Sequence, residues 1–317
     1  MTILVTGGLG FIGSHVVREF LSAGENVVAT RFGAEAVATF LEPHLGEGLT
    51  VEPLDIASPH AVIDLCRRHE IESIVHLAGP PIGSVPAIEE YRINMGGLLN
   101  VMEAARIVGA RRVSIASSIA IYMGIEGPLV EDMPVTLTPT HTIEAFKKAE
   151  ELLAKYLARA GGTELIALRL ASIYGPLYRT RRHWSAQLAH AAANNLSAPL
   201  DIPGLSAFHR DDHATDLCYI DDCARGIRLV HMSDRLRHTS YNIGGGQHVT
   251  YGRFAEAAAS LFPDLVISME EGTGPANWPN STLDLARARE DAGYEPHFTI
   301  EQALASYVAW LRSGHAF

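Results

Sequence analysis

The segment Thr6-Gly7-Gly8-Leu9-Gly10-Phe11-Ile12-Gly13 constrains this chain more than any other stretch. It stands between a β-rich run at residues 2–6 and a run at 11–23 whose apolar residues recur at helical spacing. Three glycines so placed, after a strand and before an amphipathic helix, have separate mechanical roles. Gly7 permits a tight turn, Gly10 lets the backbone approach a pyrophosphate, and Gly13 lets the helix pack closely on the strand. The helix start then offers free N–H groups and a partial positive charge to phosphates. The loop predicts a dinucleotide site, with Gly7, Gly10, Phe11, Ile12 and Gly13 around the pyrophosphate.

The rest of the first half repeats the strand–helix alternation. Strands are expected at 26–30, 49–54, 73–77, 112–116 and 164–170, with helices at 58–69, 91–108 and 144–160. That rhythm predicts an α/β fold, a Rossmann-type doubly wound parallel sheet with helices on both faces. After Gly175-Pro176 the pattern turns irregular, short elements return near 217–220 and 240–243, and a helical pattern closes the chain at 300–311. The expected division is a dinucleotide-binding domain at 1–175, completed by about 216–245. A smaller C-terminal substrate-binding region takes 176–215 and 246–317.

An acid that holds the adenosine ribose hydroxyls ordinarily follows the second strand of such a sheet. Here that place reads Thr30-Arg31, and an arginine pairs with a 2′-phosphate instead. The expected cofactor is NADP, with NAD as the alternative. Asp55, after the third strand, is expected either at the adenine amino group or as a helix N-terminal turn acid.

Composition narrows the classes. The chain has 317 residues, 47% of them hydrophobic and 19% charged, with a formal net charge of −11. That charge argues against nucleic acid or an anionic membrane as a partner. No run of 18 apolar residues and no charged-then-apolar leader is present, and the three cysteines, Cys66, Cys218 and Cys223, are too scattered for a disulfide framework. A cytoplasmic protein with reduced thiols is expected. His183, His190, His209, His213 and His231 show no metal-ligand spacing, so no metal is expected.

Further motifs fall in order along the chain. They are His76-Leu77-Ala78-Gly79, Asn94, Ser117-Ser118 with Tyr122, Lys147 to Glu151, and Arg169 with Tyr174-Gly175-Pro176. Tyr219-Ile220-Asp221-Asp222, Tyr241-Asn242-Ile243-Gly244 and Gly293-Tyr294-Glu295-Pro296 follow. On these residues the chain resembles the extended short-chain dehydrogenase/reductase family, which includes NAD(P)-dependent sugar epimerases and dehydratases. The resemblance implies that Ile56, Leu77, Ala78, Gly79, Asn94 and Lys147 join the cofactor site. It also implies a catalytic Ser, Tyr and Lys: a tyrosinate exchanges the hydroxyl proton, lysine lowers the tyrosine pKa and holds the nicotinamide ribose, and serine orients the substrate oxygen.

Carried over by position, the serine is Ser118 and the lysine is Lys147. The tyrosine belongs four residues before the lysine, on the same helix face, and that residue is Ile143. Isoleucine cannot exchange a proton. Candidate replacements are His141, Tyr122, Glu144, Tyr174 and the cluster Arg181-Arg182-His183.

On the substrate side, family members that act on nucleotide sugars hold the diphosphate with an asparagine and an arginine. Those positions read Ser172 and Thr215 here, and a C-terminal arginine near Pro275 is missing. Ser118, Ile143 and Ser172 are expected to face the substrate, and Arg179 and Arg182, with Arg181 and Arg210, to form another anion site. The resulting expectation is an oxidoreductase or epimerase/dehydratase acting on a hydroxyl or carbonyl of a polar, sugar-like or acidic metabolite, with a nonstandard acid/base. One alternative is a catalytically silent sensor or scaffold that binds NADP(H), and another is a nucleotide-sugar epimerase or dehydratase. Relatives pair two long helices from each subunit, so the resemblance implies a homodimer through Leu98, Leu99, Met102, Leu152, Leu153 and Tyr156.

Overall fold

A computed structural model of the chain describes residues 1–33, 36–80, 84–178, 181, 183–198, 210–272 and 279–314. The elements run β1 (Thr2–Thr6), α1 (Phe11–Ser22), β2 (Asn26–Arg31), β3 (Leu49–Pro53), α2 (Pro59–Arg68) and β4 (Ser73–His76). Then come α3 (Ala87–Val108), β5 (Arg112–Ser118), α4 (Thr142–Gly161), β6 (Glu164–Leu170) and β7 (Ser172–Tyr174). The second half holds α5 (Trp184–Asn194), β8 (Ala214–Tyr219), α6 (Ile220–Met232), β9 (Ser240–Ile243) and β10 (His248–Thr250). It ends with α7 (Tyr251–Leu261), α8 (Ala286–Ala292) and α9 (Ile300–Arg312).

Seven strands form the main sheet in the order β3-β2-β1-β4-β5-β6-β9. Every pair in it is parallel. Parallel neighbours need crossover helices, and those helices bury both faces of the sheet. Alternate residues of β1 show the result. Ile3 and Val5 pack with Val16, Val17 and Phe20 of α1, while Leu4 packs with the opposite layer, which holds Val62 of α2, Leu98 of α3 and Ala154 of α4.

The expected doubly wound sheet is therefore present, with one difference in its second half. β9 joins the main sheet, whereas β8 pairs with β7 and β10 in a separate three-stranded sheet. That small sheet carries α5, α7 and α9 around Tyr174, Trp184, Phe254 and Tyr307. Among the described residues, the stretch read as irregular after Gly175-Pro176 holds the helices α5, α6, α7 and α8.

The strand order reverses direction between β1 and β4. Chain leaving β1 goes toward β2 and β3, and chain leaving β4 goes toward β5 and β6. Ligands of open α/β sheets sit in the crevice outside the strand ends at such a point. Thr6 and His76 are paired in register there.

Candidate active site

The Thr6 hydroxyl organises the switch point. It accepts hydrogen bonds from the Leu77 and Ala78 N–H groups at 3.2 and 3.3 Å, and its Oγ1 lies 2.7 Å from His76 Nδ1. With its lone pairs so used, the hydroxyl donates to Nδ1, and His76 carries its ring proton on Nε2. Burial, aided by the nearby Lys147 charge, pushes His76 down to about 3, so this imidazole is neutral.

The glycine loop closes over that base. Gly7 adopts φ +66°, donates to Thr30 Oγ1 at 3.2 Å, and leaves no room for a side chain, since a Cβ there would stand 2.9 Å from Ala78 Cα. The Gly10 N–H donates to Gly7 O at 2.9 Å, and a Cβ on Gly13 would meet that same oxygen at 2.0 Å. Gly10 is the N-cap of α1 with no side-chain cap, and the first turn holds no acid. The helix N-terminus is thus left open to an anion, with Phe11 and Ile12 half-buried beside it. A dinucleotide pyrophosphate fits this cradle.

Toward the adenosine end, Arg31 closes β2, half-buried, and among the described residues its Nε is buried without a hydrogen-bond partner. Asp55 is exposed and its Oδ1 accepts from Ala57 N at 2.9 Å, the turn-acid arrangement. Ile56 is buried against α3, where a Cβ on Gly97 would stand 2.5 Å from Ile56 Cδ1. Asn100 holds the Ile56 carbonyl at 2.8 Å. Asn94 comes close to the loop after β4, within 2.6 Å of where a Gly79 Cβ would be.

At the end of β5 stand Ser117 and Ser118. Ser117 Oγ turns inward to Glu151, while Ser118 stays half-buried and its Oγ accepts from Ala120 N at 3.1 Å. Helix α4 begins with His141 as N-cap, exposed, its Nδ1 accepting from Ile143 N at 3.2 Å. Ile143 is half-buried, and Lys147 one turn later reaches Glu150 at 2.7 Å.

Several expected acid/base candidates are engaged elsewhere. Tyr122 has no exposed surface; its hydroxyl donates to Asn242 Oδ1 at 2.9 Å and accepts from Arg169 Nη1 at 2.8 Å. Burial pushes that phenol up to about 12. Tyr122 is thus a core strut, held because Arg169 also forks onto both oxygens of Glu151 at 3.0 and 2.9 Å. Glu144 is buried, paired with Lys148, and accepts from Thr140 N at 2.8 Å; those donors hold its carboxyl below the usual range against the opposing effect of burial. Tyr174 packs among Tyr219 and Phe254 in the small lobe, and burial raises it well above 10.

Ser172 and Thr215 meet each other, their hydroxyl oxygens 3.0 Å apart across β7 and β8. Arg179, Arg182 and His209 lie outside the described residues. Arg181 is exposed and its carbonyl accepts from Gln187 Nε2 at 3.0 Å. Among the described residues no cluster of histidine, cysteine and carboxylate suits a metal, and no helix is long and apolar enough to cross a membrane. Sequence reasoning did not single out Thr6, Thr30 or Glu150. The two threonines stand next to named residues at strand ends, where a hydroxyl can satisfy loop N–H groups, and that position was the available signal.

Comparison with known proteins agrees with this geometry. The family model described as the NAD dependent epimerase/dehydratase family matches residues 3–244. UDP-glucuronate 4-epimerase of Thermodesulfobacterium geofontis is 26% identical, over 98% of this chain and 95% of its own length. dTDP-glucose 4,6-dehydratase of Streptomyces niveus is 27% identical, over 100% and 94%. The solved structure of MoeE5 in complex with UDP-glucuronic acid and NAD superposes with a TM-score of 0.81 at 27% identity, covering 99% of this chain and 100% of that one. These relatives are named as enzymes, so the silent-scaffold alternative is not favoured. The chain belongs to the NAD-dependent epimerase/dehydratase family and is an enzyme of the extended short-chain dehydrogenase/reductase type.

Proposed function

We propose that the protein uses NADP, in preference to NAD, to act on a hydroxyl or carbonyl of a sugar-like metabolite with an acid/base other than tyrosine. The observation that carries this reading is Ile143, one turn before Lys147 on α4, with Tyr122, Glu144 and Tyr174 all engaged elsewhere. When bound, the nicotinamide supplies hydride exchange with the substrate carbon. Gly7, Gly10, Phe11, Ile12 and Gly13 would hold the pyrophosphate and Arg31 the 2′-phosphate. Asp55, Ile56, Leu77, Ala78, Gly79 and Asn94 would line the adenosine and nicotinamide clefts, and Lys147 would hold the nicotinamide ribose. Ser118 orients the substrate oxygen, and Ile143 and Ser172 wall the pocket. The proton would be exchanged by His141, exposed at the N-terminus of α4.

A nucleotide-activated sugar is the second reading, favoured by end-to-end likeness to enzymes named for such substrates. The neutral Ser172–Thr215 pair would then leave the diphosphate to cations elsewhere. A homodimer is proposed through α3 and α4. Leu99, Leu152, Leu153 and Tyr156 are exposed there, at 44, 71, 37 and 70%, whereas Leu98 and Met102, also expected on that face, are buried in the chain's own core.

The test is turnover on UDP-glucuronate, UDP-glucose, dTDP-glucose and the free sugars with each cofactor, in wild type, His141→Asn and Ile143→Tyr. Asparagine keeps the helix cap but not the base, so activity should fall about 10²–10⁴-fold. Full activity in His141→Asn, or a large gain in Ile143→Tyr, would overturn the nonstandard acid/base.

A further inference from the structure

We infer that Glu150 sets how readily this protein takes up its cofactor, by holding Lys147 in an ion pair that the nicotinamide ribose has to displace. The inference rests on the assignment of Lys147 to the cofactor proposed above. Helix α4 carries a dense run of charge, and its pairs divide by face. Lys148 is given to Glu144 and Lys155 to Glu151, both acids turned inward and buried. Lys147 and Glu150 share the face of Ile143, because positions 143, 147 and 150 are one and two turns apart. The ammonium lies 2.7 Å from Glu150 Oε2, with the lysine side chain 24% exposed and the glutamate 9%. Lys147 also acts on His76 at the carboxyl end of β4, which puts its charge within electrostatic reach of the strand ends at the switch point.

The asymmetry of the pair is what gives it consequence. Lys147 is the more open partner and has the longer side chain to turn toward a ligand, whereas Glu150 is largely enclosed. Once the lysine leaves, a carboxylate nine-tenths buried is left without its cation, and breaking one side of such a pair is costly. Cofactor affinity therefore contains the difference between the lysine's contact with the ribose and its contact with Glu150. A neutral, isosteric amide at position 150 reduces the second contact from an ion pair to a neutral hydrogen bond and keeps the first.

The experiment compares calorimetric titrations of NAD and of ADP, which lacks the nicotinamide ribose, into wild type, Glu150→Gln, Lys147→Met and the double variant. Glu150→Gln should bind NAD about three- to tenfold more tightly, leave ADP unchanged, and lose its effect in the Lys147→Met background. Unchanged or weaker NAD binding overturns the inference, as does an equal shift for ADP, which marks a structural effect. Lys147→Met alone should weaken NAD; if it does not, the assignment of Lys147 to the cofactor fails, and that failure is distinct from an effect of Glu150.

Discussion

Adding one methyl group at Gly13 tests whether the N-terminal cradle is what the geometry says it is. A Cβ built there would stand 2.0 Å from Gly7 O and 2.8 Å from Gly8 Cα, whereas real Cβ contacts stay beyond 3.0 Å. The obstacle is backbone and cannot rotate away, so loop and helix must separate by about 1 Å. Two terms oppose each other. Glycine to alanine inside a helix favours folding by about 1 kcal/mol, and overpacking costs about 1–3 kcal/mol. The net is a loss of roughly 1 kcal/mol, a fall of a few degrees in melting temperature. The larger effect falls on binding. A displaced loop forfeits at least one charge-assisted bond to the pyrophosphate, worth about 1.5–3 kcal/mol, or about ten- to hundredfold in NAD affinity. Calorimetry and thermal melting measure both, with Gly96→Ala as the control. Gly96 lies within α3 with no neighbour within 4 Å of a built Cβ, so that variant should stabilise by about 0.5–1 kcal/mol and bind normally. Wild-type NAD affinity and stability in Gly13→Ala would refute the reasoning.

Three further outcomes follow from the same geometry. Arg31→Asp should reverse a preference for NADPH over NADH, with a change of about ten- to hundredfold; equal binding of both cofactors by wild type sinks the assignment. His231 is buried between Ser114 and Ser73 at 2.8 and 2.9 Å, and burial pushes it from 6.5 to about 3. Its folded pKa lies below its unfolded one, so its contribution is whole above 6.5 and drains as pH falls toward 3. Between pH 7.5 and 5.5 wild type loses about 1.4 kcal/mol from this group, and His231→Gln does not. The penalty of the variant in urea should therefore shrink by that amount at pH 5.5, and an equal penalty at both pH values refutes it. Sedimentation equilibrium at micromolar concentration should show a dimer that Leu152→Asp with Tyr156→Asp dissociates; a monomeric wild type removes the dimer.

What could be read ahead of the structure tracks how strongly local chemistry decides. The glycine loop was legible because backbone sterics allow few residues there, and the sheet was legible because amphipathic helices punctuate it. Helix α5 was not. Every residue from Trp184 to Ala192 is buried, so the apolar–polar period that marks a surface helix is missing. β8 was legible only in part, as a short element near 217–220, since its six buried residues include Thr215 and Asp216 and show no alternation. Asp216 is there because its carboxylate collects the N–H groups of Gly245, Gly246 and Leu283, which are remote in sequence. Along α4 the charges were visible but their partners were not. Lys147 has acids at both i+3 and i+4, and the choice is made by Arg169, a β6 residue that claims Glu151.

The two halves of the site answer to different physics, which explains how the chain would keep the family's fold under the proposed change of acid/base. The cofactor half is built from backbone N–H groups, one open helix end and positions where a Cβ has no room. Such features depend on main-chain path, and a solved relative shares that path over nearly the whole chain at 27% identity. The reaction half depends on single titratable atoms. On the proposed reading, Ile143 in place of a phenol would change which proton can move and would leave α4 in place, because both its ends are capped independently, by His141 and by the left-handed Gly162. Binding and turnover are therefore separable properties of this protein. A preparation that binds dinucleotide well but ignores the relatives' substrates has changed its acid/base or its substrate, with the cradle unaffected. One that fails to bind has a fault in the cradle or in the side chains proposed to hold the cofactor, Arg31 and Lys147, and no repair at position 143 would restore it.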